Sequence, residues 1–382
     1  MNFEFQLTTR ALVGADTIDR IGNLATELAA KNVLLVTDEG LVSAGHVARA
    51  EASLKKAGVE SFVFQDIEEN PTTKHVEEGV RFAKSIGQID LIIGLGGGSA
   101  MDCAKGINFL FTNGGKMEDY WGIGKATKPM LPSIGVPTTT GTGSEAQSFA
   151  LISHAETHVK MACGDPKALF RRVILDPKLT MSAPKDVVAA TGMDAVSHAV
   201  ESHVTKKRTP FSQMLSREAW RLLERNFEKV LGKTYDVNAW GEMQLGAHYA
   251  GAAIENSMLG AAHACANPLT AKYGITHGVA VGVMLPHVVH FNSAVVNGAY
   301  NELSTLLNVS EHALDGTSAV KIAARLSELR KAAQMPENLQ DLAVRKSDFS
   351  ELAKAAAKQW TGTFNPRNLQ EEDCLNLYES AW

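Results

Sequence analysis

Residues 90–106 read DLIIGLGGGSAMDCAKG. The run DLIIGL (90–95) has the length and apolar content of a buried strand. Gly96, Gly97 and Gly98 then turn the chain, and residues 99–111 resume with the apolar spacing of a helix. Glycines let a backbone approach a phosphate closely, and a helix N-terminus presents unpaired N–H groups and a favourable dipole. Gly96, Gly97, Gly98 and Ser99 are therefore candidate phosphate-binding residues, with Ser99 either the helix N-cap or a donor to the phosphate. The loop is neither the GxGxxG fingerprint nor a Walker loop, and a plain strand-to-helix turn would use the same residues.

The same grammar extends outward. NVLLVTD (32–38), SFVFQ (61–65) and PSIGVPT (132–138) read as further buried strands, and FEFQL (3–7) with ALVG (11–14) as an opening strand pair. Amphipathic stretches at 16–30, 43–57 and 73–86 separate them. Strands alternating with helices imply a parallel sheet covered on both faces. After ILDPKLTMSAPKD (174–186) the pattern changes: 184–204, 210–232, 237–258, 261–272, 278–290, 317–333 and 348–359 all read as helices. The expected organisation is an α/β dinucleotide-binding domain over 1–180 and an all-α domain over 181–382.

The bulk numbers narrow the class. A chain of 382 residues is long enough for two cores. Its net charge is −5 and no basic block stands out, so nucleic acid is not an expected partner. The start, MNFEFQLTTR, lacks the charged and apolar regions of a signal peptide, and no apolar run reads as membrane-spanning. Cys103, Cys163, Cys265 and Cys374 are scattered, the usage of a protein with reduced thiols, which points to a cytoplasmic location.

Three clusters carry candidate chemistry. Asp38 ends a strand, where a carboxylate can accept from an adenosine ribose and repel the extra phosphate of NADP, or simply cap a helix. PTTTGTGSE (137–145) supplies the hydroxyls of Thr138, Thr139, Thr142 and Ser144, with Gly141 and Gly143 allowing close approach; it could hold the rest of a dinucleotide or be a surface loop. In TGMDAVSHAVESH (191–203), Asp194 and His198 stand four apart and share one helix face. They make half of a possible metal site, which His263 and His277 of HACANPLTAKYGITHG (263–278) could complete. Such nitrogen and oxygen donors suit Fe2+, Zn2+ or Mn2+, and the missing thiolate argues against a structural zinc site. His203, His248, His287 and His290 read as ordinary histidines, of which the last pair could stand behind the ligands.

Together these stretches resemble the iron-containing (group III) alcohol dehydrogenases over almost the full length. GLGGGSAMDCAKG, PTTTGTGSE, DPKLT, ATGMDAVSHAVES, LGAAHACANPL, HGVAVGVMLPHV and the late NPR (365–367) occur in the family's order. The resemblance implies a dehydroquinate synthase-like architecture with the active site in the cleft between a nucleotide domain and a helical domain. It implies that Asp194, His198, His263 and His277 bind Fe2+, or Zn2+ in some members, and that NAD lies across Gly96–Ser99 and Thr138–Thr142. Asp38 stands where NAD-preferring members carry aspartate. The implied activity is hydride transfer between NAD(H) and a small alcohol or aldehyde whose oxygen a metal polarises; homodimers are common in the family. Alternatives on the same scaffold are a hydroxy-acid, diol or semialdehyde oxidoreductase, an NAD-retaining transhydrogenase, and an NAD/zinc lyase of the dehydroquinate synthase type. A substrate carboxylate would need a cationic partner, for which Arg367 and Lys160 are candidates. Two positions depart from the family pattern. Asn267 replaces a histidine considered a proton carrier, and Ile254 replaces a frequent aromatic residue. An amide hydrogen-bonds but does not titrate near neutrality.

Overall fold

The computed structural model describes residues 2–5, 7–232, 235–308 and 316–382. The chain divides into two compact units. One comprises Leu7–Thr139 and Ser144–Ala183; the other comprises Pro184–Trp382, the short piece Thr140–Gly143 and the N-terminal Met1–Gln6.

The first unit is α/β. Its strands are β1 (Arg10–Val13), β2 (Asn32–Val36), β3 (Glu60–Phe64), β4 (Leu91–Gly96), β5 (Gly122–Ile123), β6 (Ser133–Pro137), β7 (Phe149–Ser153), β8 (Lys160–Gly164) and β9 (Arg172–Leu175). Its helices are α1 (Ile21–Glu27), α2 (Glu39–Ser43), α3 (His46–Lys56), α4 (Thr73–Ile86), α5 (Gly98–Asn113) and the short α6 (Pro177–Thr180). The main sheet has six parallel strands in the order β1-β9-β6-β4-β2-β3. Successive side chains of a strand point to opposite faces. Accordingly Val33, Leu35, Leu91, Ile93 and Leu95 join Ile21, Val47 and Leu54 in one core. Leu34, Val36 and Ile92 join Val76, Val80 and Ile107 in the other. Both faces are buried, which is why these strands read as continuous apolar runs.

The strand order sets the ligand crevice. From β2 the chain moves to β3 on one side, and from β4 it moves to β6 on the other. Adjacent strands whose connections leave in opposite directions open a crevice at their C-terminal ends, where α/β sheets bind ligands. Asp38 follows β2 there, and the glycine turn follows β4.

Two expectations for this region are corrected. FEFQL forms no strand over its described residues 3–5 and 7, and Gln6 lies outside the described residues. The segment around ALVG instead pairs in parallel with β9, from Arg10 opposite Arg172 to Val13 opposite Leu175. Residues 149–164, not assigned from sequence, form β7 and β8, which with β5 build a small sheet.

The second unit contains only helices among its described elements: α7 (Lys185–Val204), α8 (Pro210–Leu231), α9 (Val237–Ser257), α10 (Ala261–Tyr273), α11 (His277–Ser304), α12 (Ser318–Ala332), α13 (Phe349–Ala356) and α14 (Glu371–Ser380). The helix expected at 278–290 runs on to Ser304, with a break at Val296 (φ −133°). It is the one described helix long and apolar enough to cross a membrane, so the expectation that no such run exists is revised. Its apolar residues face α7, α10 and α12, and 61% of its apolar window is buried, which accounts for its composition within a bundle.

Where α11 begins, packing leaves no room for a side chain. A Cβ on Gly278 would stand 1.9 Å from the carbonyl oxygen of Ala190 in α7, whereas one on Gly298 in the same helix would meet nothing within 4 Å. Gly278→Ala is therefore expected to cost about 2 kcal/mol or more through overpacking. Gly298→Ala should gain up to about 1 kcal/mol from helix propensity. Urea unfolding of the pair checks both signs, and equal midpoints would contradict the close α7–α11 contact.

Candidate functional site

Helix periodicity puts Asp194 and His198 on one face of α7. The start of α10 brings His263 to the same place, and His277 is the first residue of α11. The missing Cβ of Gly278 lets that start sit against the backbone of α7 one turn before Asp194. The three imidazole Nε2 atoms of His198, His263 and His277 lie 3.3, 3.5 and 3.7 Å from Asp194 Oδ1. The His198 and His263 rings stack with centroids 5.0 Å apart, and the His263 and His277 centroids are 5.2 Å apart. Donor atoms of Asp194, His263 and His277 fall within 4.8 Å of one another. His198 touches this group through Asp194.

Asp194 Oδ1 and His263 Nε2 are buried and make no hydrogen bond. Polar atoms that converge at ion-pair distance without hydrogen-bond geometry have the donor chemistry a cation would satisfy. Burial would raise the Asp194 carboxyl, but His198 first, then His263 and His277, hold it well below the ordinary carboxylate range. Burial likewise works against a charged His263, and Asp194 on one ring nitrogen and Glu201 on the other push it up to about 9. The side chains of Asp194, His198 and His263 are 9%, 6% and 4% exposed, whereas His277 is 32% exposed, so the cluster opens on the His277 side.

Sequence reading missed the groups behind these residues. Glu201, one turn beyond His198, accepts from Ala262 N–H (2.7 Å) and lies 2.6 Å from His263 Nδ1. Asn365 of the NPR motif accepts from Ala261 N–H (3.2 Å) and exchanges hydrogen bonds with Asn292 (2.8 and 3.0 Å). Both partners are far from α10 in sequence, so no local spacing signalled them. Asn267, one turn after His263, donates from Nδ2 to Gln359 Oε1 (3.0 Å). Arg367 is engaged by Phe291, donating to its carbonyl at 3.2 Å and covering its ring at 3.9 Å.

In the α/β unit the candidate nucleotide loops meet at neighbouring strand ends. Thr138 N–H donates to Gly96 O (3.0 Å), joining the loops after β6 and β4. A Cβ on Gly96 would stand 2.6 Å from Ala100 Cβ, so the turn closes only with glycine there. The α5 N-cap is Gly97, not Ser99, because the helix already begins at Gly98. The Ser99 hydroxyl accepts from Asn70 N–H (3.2 Å). Asp38 does cap α2, through Oδ1 to Leu41 N–H (3.1 Å), while Oδ2 lies 3.6 Å from where a Gly96 Cβ would be. One carboxylate oxygen thus faces the glycine turn. Thr139 Oγ1 is buried without a partner, and the Ser144 hydroxyl is spent on Asp102. Thr142 lies in the piece Thr140–Gly143, which belongs to the helical unit. There Gly141 and Gly143 make close approaches: a Cβ would meet Thr191 of α7 at 2.3 Å and Gly251 of α9 at 2.6 Å.

Residues 8–177 match the iron-containing alcohol dehydrogenase family, and residues 188–382 match the C-terminal family of the Fe-containing alcohol dehydrogenases. The chain is 34% identical to alcohol dehydrogenase 4 of Schizosaccharomyces pombe, over 92% of this chain and 82% of that one. It is 30% identical to the NAD-dependent methanol dehydrogenase of Bacillus methanolicus, over 99% of each. A crystal structure of 1,3-propanediol oxidoreductase superposes with a TM-score of 0.95 at 32% identity, covering 100% of both chains.

His203, His248, His287 and His290 lie outside the group of mutually close donors. His203 is buried with Nδ1 2.9 Å from Ser216 Oγ. Burial, then Arg208 and Arg217, push it down to about 4 from its ordinary 6.5. The unfolded chain therefore takes up this proton first as pH falls. The stabilisation is whole above about pH 6.5 and is lost through the window down to about 4. At the acid end the loss is on the order of 3 kcal/mol. His203→Gln, compared with wild type in urea titrations across that window, should flatten the slope; parallel curves would show that His203 does not set it.

Proposed function

The chain belongs to the iron-containing alcohol dehydrogenase family, and on that premise we propose that it interconverts small alcohols and aldehydes with NAD, on a divalent metal held by Asp194, His198, His263 and His277. The observation that carries this reading is the convergence of three imidazole nitrogens on a buried carboxylate oxygen that has no hydrogen bond. One carboxylate oxygen and three imidazole nitrogens without a thiolate suit Fe2+, with Zn2+ the other candidate. Once bound, the metal supplies a Lewis acid for the substrate oxygen and NAD supplies the hydride acceptor.

The chain's own groups do the holding. Gly96, Gly97, Gly98 and Ser99 open α5, whose first N–H groups have no side-chain cap and suit a pyrophosphate. Asp38 Oδ2, left over from the helix cap, suits the adenosine ribose hydroxyls and disfavours a 2′-phosphate. Thr138, Thr139 and Thr142 complete the cofactor contacts, Thr139 through its unpartnered hydroxyl. The α/β part over 1–180 is assigned to NAD, and the helical part over 181–382 to metal and substrate. The S. pombe and B. methanolicus relatives are named for alcohol and methanol, and the solved structure for 1,3-propanediol, which favours a short alcohol or diol as substrate. A cytoplasmic homodimer completes the reading; four buried free cysteines support the compartment.

Chelator-stripped protein, given Fe2+ or Zn2+ under anaerobic conditions, should regain NADH formation with short alcohols or diols. Asp194→Asn should lose metal binding and at least about 100-fold in activity. Turnover that survives verified metal removal overturns the proposal.

Asn267 is assigned to hydrogen bonding with cofactor or substrate, not to proton transfer. Asn267→His should introduce an ionisation near neutrality into the pH profile of kcat/KM that the wild type lacks. Superimposable profiles with unchanged substrate preference would show the position to be silent.

A further inference from the structure

We infer that Glu201 is a positioning residue that fixes the tautomer of His263, and so decides whether Nε2 of that ring is available as a metal donor. The inference rests on the proposed metal site. It begins with a helix that cannot cap itself. The N-cap of α10 is Gly260, which has no side chain, and the first three N–H groups of the helix need acceptors. Ala261 N–H donates to Asn365 Oδ1 (3.2 Å), Ala262 N–H to Glu201 Oε1 (2.7 Å), and His263 N–H to Glu201 Oε2 (3.4 Å). The cap therefore comes from α7 and from the segment after α13. A Cβ on Gly260 would stand 2.9 Å from both Asn365 Oδ1 and Glu201 Oε1, so a side chain there would displace the two capping groups.

The same Glu201 oxygen that faces His263 N–H is 2.6 Å from His263 Nδ1. A carboxylate only accepts, so the proton of that bond sits on Nδ1. In the neutral ring Nε2 then keeps its lone pair, and Nε2 is the atom 3.5 Å from Asp194 Oδ1 with no hydrogen bond of its own. Glu201 is 3% exposed, and its charge stands at a helix N-terminus, where the dipole favours it. His198 offers the contrast: its Nδ1 is buried, and no comparable group among the described residues sets that ring. Because Asp194, His198 and Glu201 all ride on α7, the carboxylate also sets the register of α10 against the helix that carries the other two donors.

Glu201→Gln separates this role from capping. The amide oxygen can still accept from Ala262 N–H, but the amide nitrogen then donates to Nδ1. That drives the ring proton to Nε2, where it blocks coordination. Asn365→Ala removes a cap from the same helix end without touching the imidazole. Affinity for Co2+ is measured by chelator competition, and the visible spectrum of the bound Co2+ is recorded. Glu201→Gln should bind about 10–100-fold more weakly, with an altered spectrum and a near wild-type circular dichroism signal. Asn365→Ala should lose thermal stability and keep its affinity. Wild-type affinity in Glu201→Gln, or equal losses in both variants, overturns the inference. Should Glu201→Gln not fold, Glu201→Asp takes its place: its shorter stem withdraws the carboxylate from Nδ1 and keeps the charge, and undiminished Co2+ affinity there overturns the inference. Absence of Co2+ binding by the wild type would instead sink the metal site itself.

Discussion

A carboxylate buried among imidazoles governs the helical unit. An isolated charge in a protein interior costs several kcal/mol unless it is paired or coordinated. The Asp194 side chain is 9% exposed, and its compensation comes from His198 one turn along, from α10 and from α11. The starts of α10 and α11 must therefore come within ion-pair distance of one oxygen in the middle of α7. The residues around the donors show how that is achieved. Ala261, Ala262, Ala264 and Ala266 are buried on α10, and Gly260 and Gly278 stand where any side chain would collide with a neighbouring acceptor or carbonyl. Small residues here are a consequence of close backbone approach, and the candidate site is the reason for that approach.

The α/β unit meets a different constraint, which is to hold irregular loops still at the end of a sheet. Polar groups do this from beneath. Lys105 is buried and donates from Nζ to Ser144 O and Phe149 O, both at 2.7 Å, while Asp102 takes the Ser144 hydroxyl. Burial pushes the Asp102 carboxyl up, and the adjacent Lys105 works in the opposite sense. The segment after Thr139 is thus anchored at Ser144, and the segment before it at Gly96 O through Thr138 N–H. Between the anchors the hydroxyls of Thr139 and Thr140 are buried without a hydrogen-bond partner. Groups held by such networks keep their direction before a ligand arrives, which lowers the ordering cost of binding.

Elements whose burial is uniform were legible in the sequence. VLLV (33–36) and LIIGL (91–95) have both faces covered, so no position is polar and the strand shows without alternation. Residues 73–86 were legible through their amphipathic spacing, and the structure adds a capping box of Thr72 and His75 at the start and Gly87 with positive φ at the end. The misreadings fall where the partner decides. FEFQL alternates like a half-buried strand, but alternation does not supply a neighbouring strand, and Phe5 instead stacks on Phe211 at 4.3 Å. RVIL (172–175) is unremarkable as a four-residue run, yet it becomes β9 because β1 and β6 flank it. Strand pairing is a property of the sheet and leaves little mark on a short strand.

The candidate metal site shows the same gradient within a few residues. Asp194 and His198 could be joined from spacing alone, because a helix fixes the relative direction of side chains four apart. His263 and His277 could not. A turn and a helix start lie between them, so their common destination was reached through family resemblance and only then met in the geometry. Glu201 was invisible at both levels, although it sits three residues from His198. Its direction on α7 was predictable, but its partners on α10 are 61 and 62 residues away. Asn365, 104 residues from Ala261, is a stronger case still, since the NPR motif gave its position and no hint of its task. Donor identity is written locally wherever periodic structure sets orientation. The shell that orients the donors is written in tertiary contacts, and it becomes readable only when the helices have been placed.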